Sequence, residues 1–97
     1  MYKMKEVRFT PEDLIFSQNS PDDFEIFFIV KGKVDIFINV NNKFEKNVHI
    51  PLRTLEKGAV FGELSFFTGQ PRTASAKSND FSSMIYIKRE DFLSVLE

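Results

Sequence analysis

Apolar residues recur at every second position through most of the chain, the period of a half-buried strand. Phe24, Ile26, Phe28 and Val30 fall on one side of an extended run, and Glu25, Phe27, Ile29 and Lys31 on the other. Lys31-Gly32-Lys33 then reads as a tight turn between two strands. The next run sets Val34, Ile36, Ile38 and Val40 on one face, until Asn41 and Asn42, which tolerate left-handed backbone, end it. A third run, Phe44 to Ile50, groups Phe44, Val48 and Ile50 opposite His49. Three such strands in succession predict an antiparallel meander with one buried and one wet face. Upstream, Phe9 to Phe16 reads as a short edge strand, followed by a loop over Ser17 to Asp23 that Pro21 breaks. Downstream, Leu52 and Leu55 lead into Gly58, Thr73 to Ser78 alternates with Ala74 and Ala76 inward, and Met84 to Lys88 is a last strand. From Glu90 to Glu97 the period changes to helical, with Phe92, Val95 and Leu96 on one stripe and Glu90 and Asp91 suited to the positive end of the helix dipole. Short strands with turns throughout and one terminal helix predict a mainly β fold, a β-jelly-roll barrel.

Size and charge narrow the picture. At 97 residues the chain is a single domain, residues 1–97, able to bury one core with little spare stability. Thirteen basic against fourteen acidic residues give a net charge of -1, which disfavours a strongly basic nucleic-acid binder. Lys43, Lys46, Arg53 and Lys57 are interspersed with Glu45 and Glu56 and read as solvated surface. The absence of cysteine excludes disulfides, thiolate metal sites and cysteine nucleophiles. The longest apolar run, Ile26 to Val30, is far short of the ~20 residues of a spanning helix, and Met1 to Val7 contains no signal-peptide core. Phenylalanine is the odd residue, with 12 copies against no tryptophan.

One segment breaks the strand rhythm. Glu63 to Phe67 can form one or two helical turns, with Gly62 at its start and Gly69 and Pro71 ending it. A short helix begun at glycine leaves backbone N–H groups unpaired with the positive dipole end behind them, which suits an anion. Arg72 follows where the chain can double back, and its planar fork fits a phosphate. Glu63 would repel a phosphate, so its task there is accepting a hydrogen bond, naturally from a ribose hydroxyl. Phe66 and Phe67 are expected to plug the helix onto the barrel, and the Asp22-Asp23 pair reads as a solvated loop. No Ser/His/Asp or paired-carboxylate arrangement is present, so catalysis has no candidate, and His49 stands alone.

Phe61-Gly62-Glu63-Leu64-Ser65 followed by Pro71-Arg72-Thr73-Ala74 closely resembles the phosphate-binding cassette of cyclic-nucleotide-binding domains. Phe9 to Phe16 resembles that family's opening strand and turn, with Glu12 where glycine is usual; Phe27 to Val34 resembles its aromatic strand and glycine turn; Leu55 to Gly58 resembles the approach to the cassette. The likeness runs from about Phe9 to Leu96. It implies a β-jelly-roll with a short cassette helix and a C-terminal helix, binding cAMP or cGMP as a sensor rather than an enzyme, with no further cofactor and no metal. The implied ligand-binding residues are Phe61, Gly62, Glu63, Leu64, Ser65, Arg72, Thr73 and Ala74. Arg72 would hold the cyclic phosphate, Glu63 the ribose 2′-hydroxyl beside the Gly62 backbone, and the Leu64 and Ser65 amides the ribose or phosphate, with the Ala74 region completing the cradle. Thr73 permits cGMP without deciding the base.

In the family, helices precede the barrel and a longer helix closes over the base. The chain is therefore expected to be a fragment of something larger or a minimal standalone domain, with its closing helix truncated at Glu97. The implied partners are the cyclic nucleotide and an effector region of the same or an associated protein, a cation channel or a kinase, with the Arg72-Thr73-Ala74 order leaning toward a channel. No nucleic acid and no membrane insertion by this segment are expected, and the implied location is cytoplasmic. The competing expectations are a jelly-roll protein-interaction module that binds no nucleotide, and a cupin-like enzyme, which a single histidine disfavours.

Overall fold

The computed structural model of the chain describes residues 4–20, 22–40 and 48–96. Pro21, the Asn41-Asn42 stop, Lys43, Phe44, Glu45, Lys46, Glu97 and the Leu96 side chain lie outside the described residues.

The fold is a two-sheet jelly roll. The strands are β1 (Lys5–Phe9), β2 (Leu14–Phe16), β3 (Ile26–Lys31), β4 (Lys33–Val40), β5 (Val48–Glu56), β6 (Val60–Phe61), β7 (Ser75–Ser78) and β8 (Ser82–Ile87), with helices α1 (Glu63–Thr68) and α2 (Arg89–Leu96). One sheet has the order β1-β8-β3-β6 and the other β2-β7-β4-β5, all neighbours antiparallel.

This topology corrects the expected meander. β3 and β4 are consecutive in sequence but lie in different sheets, so the Lys31-Gly32-Lys33 turn steps between layers instead of closing a hairpin. Gly32 takes φ 101 there, packed against Ser82. β5 runs on from Val48 through Pro51 to Glu56, well beyond Ile50. The proline is tolerated because β5 is the edge of its sheet and the β4–β5 register shifts between Ile36 and Phe37. β1 was also absent from the sequence pattern, because Lys5, Glu6 and Arg8 surround its one apolar interior position, Val7.

The faces of β3 are the reverse of the wholly apolar side's promise. Phe27 and Ile29 are buried, at 3% and 0% exposure, while Phe28 stands 43% exposed. Both faces of this strand are apolar, so the period alone does not choose between them. Pairing does: Phe27 lies opposite Phe61 and Ile29 opposite Met84, and both partners are core residues. Phe37 is likewise buried on β4, on the outward side that alternation from Val34 gives it; it lies outside the central cluster and is covered by His49, whose ring stacks on it at 4.5 Å.

Phe27, Ile29, Val34, Phe61, Ala76 and Met84 form the buried cluster, with Val7, Phe9, Ile15, Phe16, Leu55 and Tyr86 packed around it. The phenylalanine surplus has a place here. Phe27 stacks on Phe61 at 5.0 Å between ring centroids, and Phe16 tilts against both at 6.2 and 5.9 Å. A second aromatic group fixes the helices: Phe66 lies 5.0 Å from Phe92, joining α1 to α2. Phe67 does not plug into the barrel; it is 64% exposed and meets Phe66 edge-on. Val95 is also exposed, so the stripe of α2 is anchored by Phe92.

Candidate functional site

The cassette helix forms where the sequence places it. Gly62 is its N-cap at φ 81 with no side-chain cap, and Gly69 closes it at φ 73, its N–H donating to the Ser65 carbonyl at 2.9 Å. Both positions need left-handed backbone, which glycine adopts without a Cβ penalty. At Gly62 space is short as well. An added Cβ would sit 2.7 Å from the Glu25 carbonyl oxygen and 3.0 Å from Arg72 Nη1. Gly62→Ala is therefore expected to lower unfolding stability by about 1–3 kcal/mol, from backbone strain at this position, as read by urea denaturation. A denaturation midpoint equal to that of the parent would show that the turn is not held in this conformation.

Arg72 is the centre of the site. It is 2% exposed, the largest fully buried side chain among the described residues. Its Nε donates to Asp22 Oδ2 at 3.1 Å, its Nη1 to the Gly62 carbonyl at 3.0 Å and its Nη2 to the Glu25 carbonyl at 2.9 Å. The guanidinium lies 4.0 Å from the centroid of the Phe16 ring, a cation–π contact that continues the aromatic core. Of its five N–H groups three are thus committed, leaving one on each Nη nitrogen. The sequence pointed to the arginine but not to its counter-ion. Asp22 is no solvated loop residue: it forms a partly buried ion pair with Arg72, its side chain 23% exposed. Asp23 faces the other way, 3.4 Å from Lys88 Nζ.

All eight residues expected to bind a ligand line one cavity of about 240 Å³. Glu63, Leu64 and Thr73 are exposed at its mouth, Gly62 and Ala74 are half-buried, and Ser65 and Arg72 form buried wall. No ion pair or hydrogen bond to the Glu63 carboxylate occurs among the described residues. The Phe61 side chain belongs to the aromatic core, and the residue also lines the cavity. Phe16, Ile36, Leu52 and Arg53 complete the lining, and the sequence reading did not single them out. Neither Leu52 nor Arg53 carried a signal in the sequence: Leu52 reads as one more apolar strand residue, and only the structure leaves it 53% exposed, while Arg53 sits among other surface charges. The cavity therefore offers a guanidinium and an uncapped helix start on one side, a free carboxylate at the mouth, and apolar surface from Leu52 and Leu64.

Electrostatics around the arginine are set by the loop before β3. Burial pushes the Glu25 carboxyl up from its ordinary value, with the negative charges of Asp23 and Asp22 adding to it and Arg72 and Lys88 opposing. The hydrogen bond that the Lys88 ammonium donates to Asp23 holds its pKa above the usual lysine value.

The model of the cyclic nucleotide-binding domain matches residues 6–97, nearly the whole chain. The chain belongs to that family. Solved relatives share its fold. The catabolite activator protein of Thermus thermophilus superposes with a TM-score of 0.83 at 23% identity, over 97% of this chain and 42% of that one. The regulatory domain of Toxoplasma gondii PKA, solved with cAMP, gives 0.82 at 18% identity, over 97% and 34%. The EAL enzyme Bd1971 in its cAMP-bound form gives 0.80 at 25% identity, over 95% and 23%. The chain spans less than half the length of each of these three. As a member of the cyclic nucleotide-binding family it is a regulatory type of domain. Among the described residues no group of three or more His, Asp or Glu side chains is placed to hold a metal, and no helix is long and apolar enough to cross a membrane.

Proposed function

We propose that this domain binds a cyclic nucleotide, cAMP or cGMP, in the cavity between α1 and the Arg72 segment and transmits its occupancy to an attached effector. The observation that carries this reading is the convergence of Arg72, the uncapped start of α1 and the Glu63 carboxylate on one cavity in a member of this family. In that arrangement the free Nη protons of Arg72 and the first amides of α1 receive the cyclic phosphate. Glu63 accepts from the ribose 2′-hydroxyl, Leu64 and Leu52 cover the sugar or base, and Thr73 offers its hydroxyl near the base. Relatives solved with cAMP, and one with cGMP, lend support to the ligand class. The effector is a separate matter. Relatives carry this domain beside an EAL enzyme, a kinase system or a catabolite activator, and the Arg72-Thr73-Ala74 order adds a cation channel to the candidates.

Calorimetry with cAMP and cGMP tests the proposal directly. Both the parent chain and Glu63→Ala are expected to bind, the variant more weakly by about 1.5–3 kcal/mol, the range for a hydrogen bond to a charged group. Equal affinity of parent and variant would remove Glu63 from the site. A second reading has one observation in its favour: Arg72 already has an anion, Asp22, and two carbonyls as partners. On that reading the pair is purely structural and the domain is an interaction module. Failure of both nucleotides to bind the folded protein at millimolar concentration would establish it.

A further inference from the structure

We propose that the short acidic segment 22–25 mechanically couples the ligand site to α2, with Asp22 competing against an incoming anion for Arg72 while Asp23 holds the base of α2 through Lys88. The inference rests on the cyclic-nucleotide reading of the Arg72 cavity and adds the route by which occupancy leaves it.

Two adjacent aspartates point in opposite directions. Asp22 reaches inward to Arg72 at 3.1 Å, and Asp23 reaches outward to Lys88 at 3.4 Å. Lys88 is the residue immediately before α2, whose Phe92 N–H donates back to the Lys88 carbonyl at 3.0 Å. The segment itself is tightly shaped. Phe24 adopts φ 53, left-handed backbone that is costly for a bulky side chain, and its N–H donates to Asp22 Oδ1. The next carbonyl, that of Glu25, takes the Arg72 Nη2 proton at 2.9 Å. Segment 22–25 is therefore pinned to the arginine at two points and to the start of α2 at a third.

The pins have unequal strength. The Asp22–Arg72 pair is largely withdrawn from water, whereas Asp23 is 64% exposed and its pair with Lys88 is a surface ion pair of small worth. The Asp23–Lys88 pair thus contributes little to stability; its effect is to make α2 follow the loop. The base of α2 also has reason to shift. Arg89 Nε is buried without a hydrogen-bond partner among the described residues, an unsatisfied donor that another arrangement of this helix start would satisfy. A cavity of about 390 Å³ between Asp22–Phe24 and Arg89, Glu90 and Leu93 gives the two elements room to move.

A phosphate arriving at Arg72 places a second negative charge beside Asp22. Like charges sharing one guanidinium disfavour the Asp22 pair, so occupancy favours a displaced segment 22–25, and Asp23 carries Lys88 with it. A ligand shifts an equilibrium only through unequal interaction with its two states, and displacement of Asp22 is that inequality here. Reciprocity then requires that cutting the link to α2 change ligand affinity. With Asp23 released, the segment yields more easily and the ligand binds more tightly.

The test uses the 97-residue chain and its Asp23→Asn, Lys88→Gln and doubly substituted variants, Asp23 being exposed and Lys88 half-buried. In the parent, cAMP is expected to speed amide hydrogen exchange in α2 by several-fold. In each single variant that response shrinks, and the cAMP dissociation constant by calorimetry falls by about 2- to 5-fold, the size expected of one surface ion pair. The double variant gives no more than either single one. At about 1 M salt, where screening acts within ~3 Å, the difference between parent and variants disappears. Parent-like affinity and parent-like α2 response in Asp23→Asn and Lys88→Gln, with cAMP still bound, would overturn the coupling while leaving the sensor reading intact. Absence of binding of both cAMP and cGMP by the parent would overturn the sensor reading and the coupling with it.

Discussion

Arg72→Ala is expected to remove cyclic-nucleotide binding and to weaken the fold at the same time. The binding loss follows from the fork geometry. Among the described residues two N–H groups of the guanidinium have no partner, one on each Nη, and a phosphate can take both. Removing a charged partner from a desolvated pair costs about 2–5 kcal/mol of binding. At about 1.4 kcal/mol per tenfold, that is a drop in affinity of about 30-fold to a few thousand-fold. The stability loss has a different origin. Alanine would leave the Asp22 carboxylate without its cation and the carbonyls of Gly62 and Glu25 without their donor, and would open space under the Phe16 ring. Breaking a buried ion pair from one side costs about 3–5 kcal/mol; Asp22 is 23% exposed, which places this pair toward the lower figure. Urea denaturation and calorimetry read the two effects separately. Arg72→Lys sharpens the distinction, since it keeps the charge and gives up the planar fork: stability should recover more than binding does. Binding of cAMP to a folded Arg72→Ala chain with parent affinity would show that the phosphate goes elsewhere.

Gly32→Ala is expected to be the most destabilising single methyl in the chain, and far from the ligand. The turn from β3 to β4 passes directly over Ser82. An added Cβ would fall 2.2 Å from Ser82 Oγ and 2.7 Å from Ser82 Cα, at a φ of 101. Ser82 has nowhere to go. Its hydroxyl accepts from Ser78 Oγ at 2.9 Å and lies within 3.1 Å of the Asp80 carbonyl and 3.3 Å of the Lys33 carbonyl, all in the buried corner where the two sheets meet. Backbone strain of about 1–3 kcal/mol and overpacking of similar size combine to about 2–6 kcal/mol. For a domain of this length that is a large part of the total stability, and it corresponds to a fall in melting temperature of about 8–48 °C. Calorimetric melting measures it, and a shift of only a degree or two would mean that the turn is not packed tightly on Ser82.

The cassette was legible because its chemistry is local. Gly62 and Gly69 bracket six residues, and the helix between them needs no distant partner to be recognised. Arg72 stood out for the same reason, lying just past the Pro71 break. Its counter-ion did not, because Asp22 is 50 positions away and nothing in the pattern around Asp22-Asp23 distinguishes the buried carboxylate from the exposed one. The faces of β3 were equally hidden. A strand apolar on both sides has no preferred inward face until Phe61 and Met84 arrive opposite Phe27 and Ile29. The meander failed at Gly32, where a tight-turn signal serves a step between sheets as well as a hairpin.

Strand-rich architecture, the position of the cassette helix and the cassette residues that reach the cavity were all determined by the sequence itself, since each depends on residue types within a few positions of one another. Only the tertiary structure decided which sheet each strand joins, which side of β3 faces the core, and that the guanidinium of Arg72 is shared among Asp22, Gly62 and Glu25. Those outcomes depend on pairings between residues as much as 81 positions apart, as Lys5 and Tyr86 are, and packing and charge pairing between distant segments leave no period or spacing along the chain.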